Sequence, residues 1–221
     1  MNLRLTASVL MVALAALTPS TRQTQAADPP AEFFFKPGDR IVFLGDSITD
    51  GWNRGGEFSW LKFAPYDPAN FGISGDRTEH VLWRLVNGEL DTVRPKVVVI
   101  MIGTNNIGQL KDEQPEWAAA GVTKIVETVR EKLPESKVLL LAVFPRGNSD
   151  SRERAGVAAI NQIISKLDNG STVRYLDIGH AFLDPNGELP KEIMPDKLHL
   201  TAKGYELWYE AMRPLLDEMM K

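Results

Sequence analysis

The run Lys96-Val97-Val98-Val99-Ile100-Met101-Ile102 constrains the fold more than any other stretch. It is rich in β-branched residues and lacks polar alternation, which predicts a central strand buried on both faces. Shorter relatives of this pattern recur at Arg40 to Gly45, at Asn70 to Ile73 closing a short second strand, at Lys137 to Phe144 and at Thr172 to Ile178. Between them lie helical stripes: Val81, Leu82, Leu85 and Val86; Ala118, Val122, Ile125, Val126, Val129 and Leu133; Val157, Ile160, Ile164 and Leu167. A last stripe runs from Leu207 to Met219, with Pro214 inside it predicted to kink or interrupt the helix. Asp150 with Glu153 reads as a capping box for the third helix, and Asp76 and Thr78 as caps for the first. Strand–helix alternation calls for parallel pairing with crossover helices. The expected architecture over residues 40–221 is therefore α/β: a three-layer α/β/α, flavodoxin-like, five-stranded parallel sheet in the order 2-1-3-4-5.

The 221 residues suffice for one such domain with a full core, and no internal repeat interrupts them. Cysteine is absent, which excludes thiol catalysis, disulfides and cysteine metal sites. With 25 basic and 29 acidic residues the net charge is −4, so the chain carries no electrostatic footprint for nucleic acid.

Residues 1–26 read as a secretory signal peptide. Arg4 precedes an apolar stretch from Leu5 to Leu17, and Thr24-Gln25-Ala26 offers a small-residue cleavage site. The apolar run is short for a membrane span, so no stable span is expected in the mature protein. Cleavage would remove Arg4 and Arg22, leaving 23 basic against 29 acidic residues and a net charge of −6. Residues 27–39, with Asp28-Pro29-Pro30-Ala31-Glu32, read as a tether. An export signal without cysteines points to a periplasmic or secreted bacterial protein.

In open parallel sheets ligands bind beyond the carboxyl ends of the strands. Here those ends carry Gly45-Asp46-Ser47, Gly72-Ile73-Ser74-Gly75-Asp76, Gly103-Thr104-Asn105-Asn106 and Asp177-Ile178-Gly179-His180, with Asp196-Lys197-Leu198-His199 further on. They supply a hydroxyl, flexible backbone, side-chain amides, carboxylates and imidazoles, which are the parts acyl transfer needs. No Gly-x-Ser-x-Gly pentapeptide is present, which disfavours the α/β-hydrolase elbow.

The set GDS, the glycine of GISGD, the first asparagine of GTNN and DKLH resembles the signature blocks of the GDSL esterase and lipase family, the SGNH hydrolases. NFGISGDRTEHVLWRLVNGEL, FPRG and LHLTAKGY look especially like the catalytic subunits of brain-type platelet-activating-factor acetylhydrolase. Arg77 departs from that subgroup, which usually has threonine there, so its lipid substrate is not carried over. The resemblance implies Ser47 as nucleophile, His199 as general base and Asp196 as the group orienting it. It also implies an oxyanion hole of the Ser47 and Gly75 backbone N–H groups and the Asn105 amide. Physical chemistry agrees: glycine lets backbone approach a substrate closely, and an amide donates without titrating.

Several residues compete with that assignment. Ser74 is a rival hydroxyl that reads better as a loop residue. Asp46 suits loop hydrogen bonding, Asn106 a structural role and His80 a surface or packing role. Asp177 and His180 repeat the Asp-x-x-His spacing of Asp196 and His199, and spacing alone does not separate the pairs. Trp52 and Trp60 are candidates to line an acyl or sugar pocket, while Trp83 reads as packing. The expected activity is hydrolysis of a short-chain ester of a carbohydrate or small alcohol, without metal or organic cofactor. The sequence leaves room for a homodimer. The competing readings are an exported flavodoxin-like module that holds a glycan or phosphate without turnover and a phospho-acceptor regulator using Asp46. The export signal and the third strand's ending in Gly-Thr-Asn-Asn speak against the regulator.

Overall fold

The computed structural model describes residues 41–221; the signal peptide and tether read from the sequence lie outside them. Five strands, β1 (Ile41–Gly45), β2 (Pro68–Gly72), β3 (Val97–Met101), β4 (Lys137–Leu141) and β5 (Val173–Leu176), form one sheet in the order β2-β1-β3-β4-β5. All four pairings are parallel, with Gly45 level with Gly72 and with Met101, so the first three strands end in line. The helices are α1 (Ser47–Asp50), α2 (Glu57–Trp60), α3 (Thr78–Val86), α4 (Thr104–Gln109), α5 (Pro115–Lys132), α6 (Arg152–Ile164) and α7 (Ala202–Met219). This is the expected three-layer α/β/α arrangement with the expected strand order.

Strand alternation divides the core in two. Val42, Leu44, Val98 and Ile100 pack with Val81 and Leu85 of α3, Val122 and Ile125 of α5 and Ile160 of α6. Ile41, Phe43, Val97 and Val99 face the other way, onto Trp208, Met212 and Leu216 of α7. Burying each such large side chain stabilises the fold by roughly 1.5–3 kcal/mol. The second face is aromatic: Trp52 is fully buried, with its ring centroid 4.7 Å from Tyr205 and 4.8 Å from Trp208. Trp60 packs against Phe43 at 5.1 Å. Trp52 and Trp60 are thus part of the core packing.

Three local expectations need correction. α7 runs through Pro214 without interruption. The ring removes a bond to the Glu210 carbonyl, but both residues lie on the exposed side, while Met212 and Leu216 stay packed. The cap of α6 is Ser151, whose hydroxyl accepts the Arg154 N–H at 3.2 Å, one residue later than expected. Trp83 is 66% exposed, because α3 turns Val81 and Leu85 inward and leaves position 83 on the opposite side.

Candidate active site

Ser47 is the first residue of α1, directly after β1. The first N–H groups of a helix have no intrahelical acceptor, so the Ser47 N–H is open to a ligand. Asp46 caps this turn, its Oδ1 accepting the Ile48 N–H at 3.0 Å. The turn is also tied to the last helix, since the Tyr205 hydroxyl donates to the Ile48 carbonyl at 2.7 Å. That bond fixes the serine turn against α7, just after the loop that carries His199.

Ser47 Oγ lies 2.9 Å from His199 Nε2. On the other edge of the ring, Nδ1 lies 2.6 Å from Asp196 Oδ2. A carboxylate there holds the proton on Nδ1, so Nε2 presents its lone pair to the serine hydroxyl. Asp196 Oδ1 accepts the N–H groups of Leu198 and His199 at 3.0 and 2.7 Å. Partial burial by itself raises the Asp196 carboxyl, but these N–H groups and the imidazole outweigh it and hold the carboxyl below its ordinary range. The loop wraps around the carboxylate because Lys197 is left-handed, with φ of 58°.

Gly75 has φ of 86°, a conformation other residues rarely adopt, and nothing stands within 4 Å of where its β-carbon would be. Among the described residues no acceptor takes its N–H. Asn105 Nδ2 donates one hydrogen to the Asp76 carbonyl at 2.9 Å, which sets the amide beside Gly75 and leaves its second N–H available. Ser47 thus presents a hydroxyl with an imidazole acceptor, and the segments after β1, β2 and β3 carry the Ser47, Gly75 and Asn105 N–H donors. Such a set can remove a proton from the hydroxyl and stabilise an oxyanion.

The competing residues are elsewhere or otherwise engaged. Asn106 caps α3, its Oδ1 accepting the Thr78 N–H at 3.1 Å while its amide donates to Glu113 at 3.0 Å. Asp76 and Thr78 therefore do not supply that cap; the Asp76 carboxylate takes Arg84 Nη2 at 2.7 Å instead. Ser74 is exposed in its loop, and His80 is a half-exposed partner of the Arg77 backbone, its Nδ1 accepting that N–H at 3.1 Å. Asp177 Oδ1 accepts the Gly179 N–H at 2.8 Å. With His180 it lines a cavity of about 510 Å³ beside α6, and neither Ser47 nor His199 belongs to that lining. The Ser47 site is by contrast open, the His199 and Asp196 side chains being 46% and 53% exposed.

Two features had no signal in the sequence. Full burial raises the Asp46 carboxyl to about 7, against the opposing pull of the Ile48 N–H, His199 and Arg146, and among the described residues its Oδ2 has no hydrogen-bond partner. Arg146 is half-buried near Asp46 and Asp196. Burial lowers its guanidinium pKa, and the charges of Glu153, Asp46 and Asp196 oppose that shift. Among the described residues no group of three or more His, Asp or Glu side chains is placed to hold a metal ion, and no helix is long and apolar enough to cross a membrane.

The profile of the GDSL-like lipase/acylhydrolase family matches residues 43–207, from β1 into α7. The chain belongs to that family. The platelet-activating factor acetylhydrolase IB subunit alpha2 of Rattus norvegicus is 35% identical over 182 residues, covering 82% of this chain and 77% of the relative. The alpha1 subunit of Bos taurus is 36% identical over 181 residues, covering 81% and 76%. Among solved structures, a GDSL-like lipase from Bacteroides thetaiotaomicron superposes with a TM-score of 0.70 at 20% identity, covering 82% of this chain and 89% of that one. The acetylxylan esterase Axe2 of Geobacillus stearothermophilus has a TM-score of 0.65 at 20% identity, with coverage of 83% and 94%. The GDSL protein described here is an ester-hydrolysing enzyme.

Proposed function

We propose that the protein is a serine esterase that releases short, acetyl-like acyl groups from a carbohydrate or small alcohol through a covalent acyl-enzyme. The observation that carries this reading is the continuous line from Ser47 Oγ to His199 Nε2 at 2.9 Å and from Nδ1 to Asp196 at 2.6 Å. Ser47 attacks the ester carbonyl while Nε2 takes its proton, and Asp196 stabilises the imidazolium. The tetrahedral oxyanion accepts hydrogen bonds from the Ser47 and Gly75 N–H groups and from Asn105. His199 then protonates the departing alcohol, and water, activated by the same imidazole, releases the acid.

Two considerations support a short acyl group. The relatives at 35–36% identity are acetylhydrolases by name, and acetylxylan esterases share the fold. The open site also favours a small group, since a long apolar chain would gain little burial there. Export belongs to the same reading. It is supported by Arg4, the Leu5 to Leu17 stretch and Thr24-Gln25-Ala26. A protein recovered from the cytoplasm with Met1 still in place would overturn export, whereas one recovered outside it with Met1 in place would show that the apolar segment is retained as an anchor.

The test is a hydrolysis panel from acetyl to long-chain esters with acetylated polysaccharides, alongside fluorophosphonate labelling mapped by mass spectrometry. Turnover that is highest for acetyl, with label on Ser47, is the expected result. Turnover that rises with chain length overturns the substrate class. A folded protein without turnover or label is a ligand-binding module.

A further inference from the structure

The FPRG motif, Phe144 to Gly147, has no part in the mechanism above, yet it touches both halves of the site. Arg146 reaches α4, its Nη1 donating to the Thr104 carbonyl at 2.8 Å and to the Thr104 hydroxyl at 3.2 Å. The guanidinium lies against the helix backbone at Gly108. A β-carbon on Gly108 would stand 2.1 Å from Nη1 and 2.6 Å from both Cζ and Nη2. Glycine at that position is what admits the flat head group. The next residue, Gly147, donates its N–H to the Lys197 carbonyl at 2.9 Å, inside the Asp196–His199 loop. Asn148 accepts from the Lys197 ammonium.

The segment making these contacts is itself held from α6. Arg154 donates through Nε to the Arg146 carbonyl at 3.0 Å and through Nη2 to the Gly147 carbonyl at 2.8 Å. Arg152 meanwhile takes the other end of α4, donating to the Ile107 and Leu110 carbonyls at 3.1 and 3.0 Å. α4 has six residues, too few to keep a helix by itself, so its orientation comes from what grips it. Its second residue is Asn105.

We propose that Arg146 is a positioning residue for Asn105: lying flat on α4 over Gly108, it sets the oxyanion donor at a fixed distance from the His199 loop, which the following peptide holds. The proposal rests on the oxyanion role assigned to Asn105 above. Guanidinium geometry matters here as well as charge, because a planar head group fits the groove over Gly108 and a tetrahedral ammonium does not.

The experiment is a double-mutant cycle of Arg146→Ala and Asn105→Ala, read as kcat and KM on an acetyl ester, with Arg146→Lys and Gly108→Ala alongside. Arg146→Ala is expected to lower kcat by roughly 10- to 100-fold with KM changed less than about threefold, as for a small misplacement of a catalytic group. In the Asn105→Ala background the same change should cost at most about twofold, because its effect passes through the amide. Arg146→Lys should recover only part of the loss. Gly108→Ala, which keeps the arginine but displaces its head group, should reproduce much of it with the fold intact by circular dichroism. Multiplicative losses in the cycle overturn the proposal, as does full kcat in Gly108→Ala and Arg146→Lys. If Arg146→Ala fails to fold, those two variants decide, each also measured on Asn105→Ala. An active Ser47→Ala protein would instead defeat the serine mechanism, so the two failures are distinguishable.

Discussion

Asp177-Ile178-Gly179-His180 and Asp196-Lys197-Leu198-His199 have the same spacing and opposite geometry. In the first, the Asp177 carboxylate turns to the Gly179 N–H two residues on, and His180 sits in a short 3₁₀ turn with no bond to it. In the second, one carboxylate takes two backbone N–H groups and the imidazole together. The backbone at the second position explains the difference. Ile178 has φ of −108°, whereas Lys197 has φ of 58°. A left-handed residue curls the chain around the carboxylate, so the residue three places on can turn its ring back to it. A right-handed or extended residue leads the chain away. In this protein the bent backbone lets the second Asp-x-x-His pair meet, and the β4–α6 loop holds the bend through the Gly147 N–H, which donates to the Lys197 carbonyl.

The sharpest way to separate the pairs is to remove what each would serve. Ser47→Ala should lower kcat by about 10⁴-fold or more with the fold unchanged. His199→Ala should do much the same and also abolish the limb along which activity rises with pH, because the base must be neutral to accept a proton. His180→Ala should keep both activity and limb. Comparing pH–rate profiles of the two histidine variants is the measurement, and a dead His180→Ala beside an active His199→Ala would reverse the assignment.

A smaller effect comes from the carboxylates. Asp196→Asn should cost about 10³- to 10⁴-fold in kcat, since the amide no longer holds the proton on Nδ1. Asp177→Asn should change kcat by less than about threefold, because an amide oxygen still accepts the Gly179 N–H. Equal losses in the two variants would mean that spacing, rather than the fold, decides.

The bend itself is testable at Lys197. Lys197→Gly should retain kcat within about threefold, as glycine adopts positive φ without strain. Lys197→Val should lose roughly 10-fold, since a left-handed β-branched residue costs about 1–2 kcal/mol. If valine is as active as glycine, the left-handed turn is not what aligns the dyad.

The least effect on rate and the clearest on stability belongs to a third carboxylate. Burial raises Asp46 to about 7, above the ordinary carboxylate value near 3.9. Folding therefore takes up a proton between those values. The stabilisation from this group is full below about pH 4 and is lost as pH rises through about 7. Glu89, raised to about 7 by burial despite Arg84, contributes in the same sense. Asp46→Asn should reduce the proton uptake on folding near pH 5.5 by about one per molecule, read from urea midpoints across pH 4–7. An unchanged slope would show that Asp46 titrates normally in the folded protein.

Much of this molecule was legible in one dimension. The apolar runs located the central strands β1, β3 and β4, because a strand buried on both faces must be apolar throughout. Strand–helix alternation implied the parallel pairing; β2 and β5, at the sheet edges, are only partly buried. The strand ends offered Ser47, Gly75 and Asn105 among other polar residues, because a parallel sheet gathers its loops at one edge, and the family resemblance singled these three out. Element ends were less legible: the α6 cap fell on Ser151 and the α3 cap came from Asn106 on another helix, an acceptor no local pattern reveals. Trp83 misled for a related reason, since hydrophobicity does not say which side of a helix meets the sheet. What only the tertiary structure shows is the contact of Ser47 with His199, the guanidinium seat over Gly108 and the burial of Asp46. Each depends on groups far apart in the chain, Ser47 and His199 being 152 residues apart. Local spacing fixes what a short segment is able to reach, and packing between segments fixes what it meets.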